Sequence, residues 1–425
     1  MKPWNLIQYF IVLLAFLARN TKAEIWKDSV YRSSIHTVML QIKGAEGTFP
    51  IIELGSGDQF YLQFDDLDTE QKQLYYTIEH CNADWSSSNT MFSYYLQGLQ
   101  QDLIQDFRYS FNTRKQYLHY DLVFPNEQMR IILSGNYILK VFEDGDLENL
   151  VLTRRFMIYQ NQVKIAAKVK RPSVIDLRDT HQEVDALVQL EQYRAINPAQ
   201  NMKLVIMQNF RWDNFLQLKP FGINQSQLNY DYDDGSNCLP GGNEYRAFDI
   251  RSLRQQSISV QRFDREAELV EVTLLADPIR RFREYQFLQE ANGRYFIRNS
   301  DGGGEPEVDA DYAWVRFRLP FEAPLKEGNL FLFGSFTDWQ LKEAFRLEYD
   351  FNLRAYTGRF LLKQGIYNYS YAFGASKGSK PDESFIEGSF YNTENDYLLL
   401  MYGRAYTNNF DELIGISRVQ TLRAP

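Results

Sequence analysis

Short apolar-rich runs, most of them alternating apolar with polar residues, recur along almost the whole chain. They fall at 38–42, 60–64, 75–78, 118–124, 135–142 and 152–158, then at 164–169, 183–190, 202–208, 257–260 and 269–275, and finally at 312–319, 329–333, 355–362, 367–373 and 397–402. A period of two puts successive side chains on opposite faces, so these runs predict half-buried strands and not helices. The 28 Tyr and 31 Phe, against 6 Trp and 8 Met, point the same way, because aromatic rings suit a pleated, half-buried surface. With turn-forming residues between the runs, the predicted class is all-β: tandem β-sandwiches with few short helices. One stretch departs from the pattern. From Ser86 to Phe107, the residues Phe92, Tyr95, Leu96, Leu99, Leu103 and Phe107 recur at helical spacing after a Ser/Asn-rich start, which predicts a short helix or helical loop.

A chain of 425 residues suggests several domains, and three are expected: 24–161, 162–299 and 300–425. The last boundary rests on 299–307, where Gly302, Gly303 and Gly304 meet acids and a proline, the composition of a linker or exposed loop. Ahead of these domains, Lys2, an apolar run from Tyr9 to Ala18 and a polar stretch to Ala23 have the layout of a secretory signal peptide, with cleavage expected between Ala23 and Glu24. The apolar run is about half the ~20 residues needed to span a bilayer, so no transmembrane segment is expected in the mature protein. The full chain carries a formal charge of −9, and losing 1–23 would remove Lys2, Arg19 and Lys22 but no acid. So acidic a chain is a poor match for nucleic acid, whose phosphates need a basic surface.

Residues able to carry chemistry are sparse. There are four His (His36, His80, His119, His181) and two Cys (Cys81, Cys238). His80 and Cys81 are adjacent, but neighbours on a strand point to opposite faces and could not easily share one metal. Cys81 and Cys238 could pair in an oxidising compartment, although two separately buried thiols fit a chain this large better. The sequence has no His-Glu-x-x-His motif of the zinc hydrolases. Asp231, Asp233, Asp234 and Gly235 depart from calcium-loop spacing. No catalytic residue, cofactor or metal ligand set is therefore expected. Long polar connections around 228–244 are the kind of loop that carries function, and Tyr230, Tyr232, Asn237, Asn243 and Tyr245 are its candidate partner-binding residues.

Two resemblances sharpen these expectations. Gly334-x-Phe336-x-x-Trp339, followed by Gly365-x-Tyr367-x-Tyr369, resembles the early-set immunoglobulin-like domain of glycogen- and starch-binding proteins. That resemblance implies an immunoglobulin-like C-terminal sandwich and, as an alternative role, a carbohydrate-binding envelope protein in which Trp339 stacks on sugar. The stretch 374–382, where a second aromatic would complete the platform, has none. Over the longer span, several blocks follow one another: His80 to Trp85, Tyr137 to Asp146 with Leu152 to Phe156, Lys170 to Pro172 with Arg178 to Glu183, Pro240 to Arg246 with Phe248 to Leu253, and Phe336 to Trp339. In order and spacing they resemble the plug proteins of the Bacteroidota type IX secretion system, from about Glu24 to the C-terminus. This second resemblance implies a non-catalytic periplasmic protein, associated with the inner face of the outer membrane. Its partner would be the system's outer-membrane barrel translocon, whose periplasmic opening it would close at rest.

Overall fold

The computed structural model describes residues 26–421 except 192, 195, 225, 406 and 407. The expected signal peptide and its Ala23–Glu24 junction lie outside the described residues. Within them the chain is all-β, with three four-residue α-helices, Pro198–Asn201, Pro306–Asp309 and Ser384–Glu387.

The first sandwich comprises residues 29–159. One sheet orders its strands Ser29–Val30, Leu150–Tyr159, Gly135–Glu143, Leu74–Cys81 and Gln101–Leu103, and the facing sheet orders Ile35–Ile42, Phe60–Asp66, Leu118–Phe124 and Asp106–Tyr109. Between them lies an aromatic core in which Phe60, Phe124 and Phe156 meet at 4.9–5.3 Å and Tyr137 stacks on Phe156. Tyr137, Leu139 and Val141 alternate into this core. Ile138, on the opposite face of the same strand, is fully buried too. With Cys81 and Met157 it packs on Val205, Met207, Leu398, Leu400 and Tyr402 of the second sandwich. A sheet covered on both faces needs apolar residues on both, which is why 135–142 reads as a nearly continuous apolar run.

The second and third sandwiches do not follow the expected boundaries at 162–299 and 300–425. The second is built from Lys164–Lys170, His181–Gln189, Gln227–Tyr230, Gly222–Ile223 and Cys238–Pro240 against Phe215–Leu218, Met202–Gln208, Asp396–Gly403 and Glu412–Gln420. Its central pairing, Met202–Gln208 with Asp396–Gly403, joins segments almost 200 residues apart. The third sandwich is inserted between Cys238–Pro240 and Asp396–Gly403. Arg246–Asp249, Tyr295–Ile297, Asn329–Phe333 and Gly365–Gly374 form one side, and Val260–Asp264, Glu271–Leu274, Tyr312–Pro320, Ala355–Lys363 and Glu348–Asp350 the other. The triple-glycine segment is thus a loop inside the third sandwich. Asn299 Oδ1 accepts from the Asp301 and Gly302 amides, and Asp309 Oδ2 accepts from that of Gly304. Anchored loops and free linkers share this composition, and only the hydrogen bonds distinguish them.

The helix expected within 86–107 is also replaced. A single 3-10 turn, Phe92–Tyr94, leads into the short strands Leu96–Gly98, Gln101–Leu103 and Asp106–Tyr109. Gly98 has φ +110°, and a Cβ there would come within 2.2 Å of the Gln128 carbonyl oxygen, so backbone contact with Met129–Ile131 requires glycine and excludes a helical turn.

Candidate functional surfaces

A buried ionic joint couples the first sandwich to the third. Asp65, on Phe60–Asp66, points its carboxylate across the interface. Lys363 Nζ and the Tyr312 hydroxyl both donate to its Oδ2 at 2.6 Å, and His119 Nδ1 lies 2.6 Å from Oδ1. Lys363 also donates to the Glu307 carbonyl at 2.7 Å and stands 4.1 Å above the Tyr117 ring. His119 Nε2 lies 3.2 Å from Asp121 Oδ1, and Asp121 in turn meets Arg108 at 3.2 Å. Burial alone would raise Asp65, but Lys363 and His119 hold it below the usual carboxylate range. Burial pulls Lys363 below the usual lysine value against the attraction of Asp65. His119 is raised, because its two carboxylate partners outweigh its burial. Both His119 nitrogens therefore face carboxylates, and the group is arranged to hold charge between domains, not to activate a nucleophile. Beside this joint lies a cleft of about 770 Å³ whose lining includes Arg32, His36, Arg154, Trp314, Phe345 and Arg359.

The second and third sandwiches meet around Arg211 and Trp339. Trp339 is only 7% exposed. Its ring is 4.4 Å from the Arg211 guanidinium carbon and packs edge-on against Tyr245 and Phe333. Arg211 is held by Asp213 at 2.7 Å, by Glu383 at 2.5 Å and by the Tyr245 hydroxyl at 2.8 Å. The sugar-stacking role considered for Trp339 is not available to a ring enclosed on this scale. Stacking needs an open face, and burial of the indole among Arg211, Tyr245 and Phe333 removes it.

The candidate partner-binding residues separate in the same way. Tyr230 and Asn237 are fully buried and Tyr245 is 5% exposed. Tyr230 ends a strand in which Leu228 and Tyr230 alternate into the second core. The Asn237 side-chain amide donates to Val184 O and Asp185 Oδ1. Tyr245 belongs to the Trp339 cluster. Asn243 is half-buried and donates to the Glu387 carbonyl at 2.7 Å. Tyr232, half-buried, bonds the Lys219 carbonyl and packs on exposed Phe221 at 5.5 Å, so of the five it alone adjoins an open aromatic surface. Asp231, weighed for calcium, gathers with Glu183 and Asp185, but Lys170 Nζ stands 2.7–3.2 Å from all three and supplies the cation itself. Cys81 and Cys238 are free, buried thiols. Burial, with Glu183 and Asp185 nearby, pushes Cys238 up to about 11.

An acidic group sits behind the Trp339 cluster. Glu290 accepts from the Gly293 amide at 3.2 Å, and Tyr285 donates to Glu244 at 2.5 Å. Burial, reinforced by Glu244, pushes Glu290 up to about 7. A folded-state pKa above the unfolded value near 4.5 contributes stability that is complete below the unfolded pKa and lost as pH rises through about 7. Glu290→Gln keeps the acceptor and removes the charge. It is expected to stabilise the protein by roughly 2–3 kcal/mol at pH 8 and to change little at pH 4.5. Thermal unfolding at the two pH values tests this, and an equal effect at both would refute it.

Reasoning from sequence missed an exposed apolar group of the first sandwich. Met91 (67% exposed), Phe92, Tyr94, Leu99 and Ile132 surround the short ladder between Leu96–Gly98 and Met129–Ile131. Phe92 and Leu99 belong to the spacing that predicted a short helix or helical loop, whereas the turn at Phe92–Tyr94 leaves both of its aromatic rings in solvent.

Comparison with solved structures finds a hypothetical protein from Parabacteroides merdae ATCC 43184, whose crystal structure aligns with a TM-score of 0.89 at 32% identity. The alignment covers 94% of this chain and 100% of that one. Alkylpurine DNA glycosylase from Pseudomonas fluorescens, bound to DNA containing an abasic site analog, overlaps 29% of this chain and 30% of its own at 14% identity. Its TM-score of 0.17 carries no argument. No curated protein matches the chain. The first sandwich is matched by the model of the Type 9 secretion system plug protein 1st domain over residues 35–160, and the chain belongs to the type 9 secretion system plug protein family.

Proposed function

We propose that the protein is a non-catalytic periplasmic plug that binds the outer-membrane barrel translocon of the type IX secretion system and closes its periplasmic opening at rest. The observation that carries this reading is the match of the first sandwich to the plug model. The physical character of the molecule supports it. A body that closes a wide pore must resist deformation, and here three sandwiches are joined by a shared apolar layer, a buried ionic joint and the Arg211–Trp339 cluster. Such close-packed joints leave little freedom for one sandwich to swing on another. The signal-peptide-like segment at 1–23 is consistent with a periplasmic destination, and no helix among the described residues is long and apolar enough to cross a membrane.

The test is affinity recovery of the tagged mature protein from cross-linked, solubilised envelopes. A large outer-membrane barrel is expected to co-purify, and deletion of the gene is expected to make the outer membrane leaky to large antibiotics normally excluded. Recovery of soluble proteins only, with an unchanged permeability barrier, would overturn the reading.

A further inference from the structure

The residues from Trp85 to Gln101 form seventeen consecutive positions without an Asp, Glu, Lys, Arg or His, in a chain where 24% of residues are charged. Within this run Met91, Phe92, Tyr94 and Leu99 are 40–67% exposed, and Ile132, whose amide bonds the Tyr95 carbonyl, adds a fifth apolar side chain at 44%. An apolar group of this kind covers on the order of a few hundred Å², the size at which exposed patches on soluble proteins tend to be interaction sites.

The group is held in place from beneath. Tyr95 and Leu96 are buried, Tyr95 packs on His80 and Tyr137 with centroids 6.0 Å apart, and the ladder pairs Leu96 with Ile131 and Gly98 with Met129. Before the turn, Asn82 donates to Ser86 and Ser87, and the Asn89 amide bonds the Ser87 hydroxyl. Phe92 and Tyr94 are therefore presented as a fixed knob, with little ordering left to be done on binding.

We infer that this knob, built on Met91, Phe92 and Tyr94, is the docking surface through which the first sandwich seats on an uncharged apolar protein surface at the periplasmic rim of the translocon. This rests on the plug reading above. The charge pattern selects the occupant. An anionic lipid surface needs a cluster of Lys or Arg, and the run has none. A charged protein surface would leave its own groups desolvated and unpaired against this loop. Met and aromatic residues with depleted charge, rimmed by Ser, Asn and Gln, match the centre of a protein–protein interface, and Arg130, exposed opposite Gln97, stands at its edge.

The experiment compares three full-length mature proteins in the envelope pull-down: wild type, the double variant Phe92→Asp/Tyr94→Asp, and Phe351→Asp, which alters a still more exposed ring on the third sandwich. All three should unfold at nearly the same temperature, since both sites lie in solvent. The double variant is expected to recover the barrel about tenfold less well or worse, as for loss of central interface residues, with Phe351→Asp unchanged. A benzoylphenylalanine at position 92, and not one at 351, should cross-link to the barrel in cells. If wild type and double variant recover the barrel equally, the docking surface is wrong and the plug reading stands. If wild type recovers no barrel, both fall. If wild type instead binds phosphatidylethanolamine/phosphatidylglycerol vesicles and the double variant does not, the knob is a membrane contact and the inference is overturned.

Discussion

Replacing Lys363 by methionine is expected to destabilise the protein by about 3–5 kcal/mol at neutral pH, the range for removing one partner of a buried ion pair. Lys363 is 1% and Asp65 0% exposed, so water cannot replace the lost ammonium. Methionine fills most of the volume but leaves the Asp65 carboxylate with His119 and Tyr312 alone, and leaves the Glu307 carbonyl with only the longer hydrogen bond from the Tyr117 hydroxyl. The pH dependence carries the argument further. In the native protein Asp65 is held below the usual carboxylate range, so its contribution is present above the unfolded value of 3.8 and lost as pH falls through the folded pKa. Without Lys363, burial is no longer opposed by the nearest cation and the Asp65 pKa must rise. The variant's deficit should therefore shrink towards pH 5, where Asp65 can take up a proton. The double variant Asp65→Asn/Lys363→Met should recover much of the loss, because the uncompensated charge is gone. Denaturant unfolding at pH 7.5 and pH 5 measures both. A loss under about 1 kcal/mol, or a double variant no more stable than Lys363→Met, would show that the charge is not what holds this joint.

The joint also shows why part of this molecule is legible in its sequence and part is not. Strand alternation is local, and runs such as 118–124 and 312–319 announce an all-β chain without knowledge of their neighbours. Family membership is similarly readable, because ordered blocks such as His80 to Trp85 survive as text. What cannot be read is which distant segments pair. Met202–Gln208 finds Asp396–Gly403 across an inserted domain, and nothing local to either strand records the choice. Asp65, His119 and Lys363 are ordinary alternating positions on three strands, and only their register brings them together. Loop composition misleads for a related reason. Tyr230 sits next to Asp231, Asp233 and Asp234, which suggests solvent, yet the Leu228-x-Tyr230 alternation was the signal that its ring turns inward. The knob at Phe92 errs in the other direction, since Gly98 weakens a helix by about 1 kcal/mol and the ladder with Met129–Ile131 takes the backbone instead.

Trp339→Ala is expected to destabilise the protein by about 3–5 kcal/mol, with no change in retention on a polysaccharide column. The stability loss has two sources. The indole fills the space between Tyr245, Phe333 and Leu341, and its removal leaves a cavity that the rigid strand Asn329–Phe333 cannot collapse into. It also removes the nearer of the two rings under the buried Arg211 guanidinium, leaving Phe333 at 5.2 Å, although Asp213 and Glu383 remain to hold the charge. The close fit on the far side yields a companion result. Gly293 has φ +75°, and a Cβ there would lie 2.2 Å from the tip of the Trp339 ring. Gly293→Ala should therefore destabilise the wild type, and destabilise it less in the Trp339→Ala background, where the clash with the indole is gone and the backbone strain and the 2.9 Å approach to Tyr245 remain. Thermal unfolding of the four proteins closes this cycle. Additive effects of the two substitutions would mean that the ring is not seated against Gly293. Loss of polysaccharide retention in Trp339→Ala, with unfolding unchanged, would mean that the ring leaves its pocket to meet a sugar.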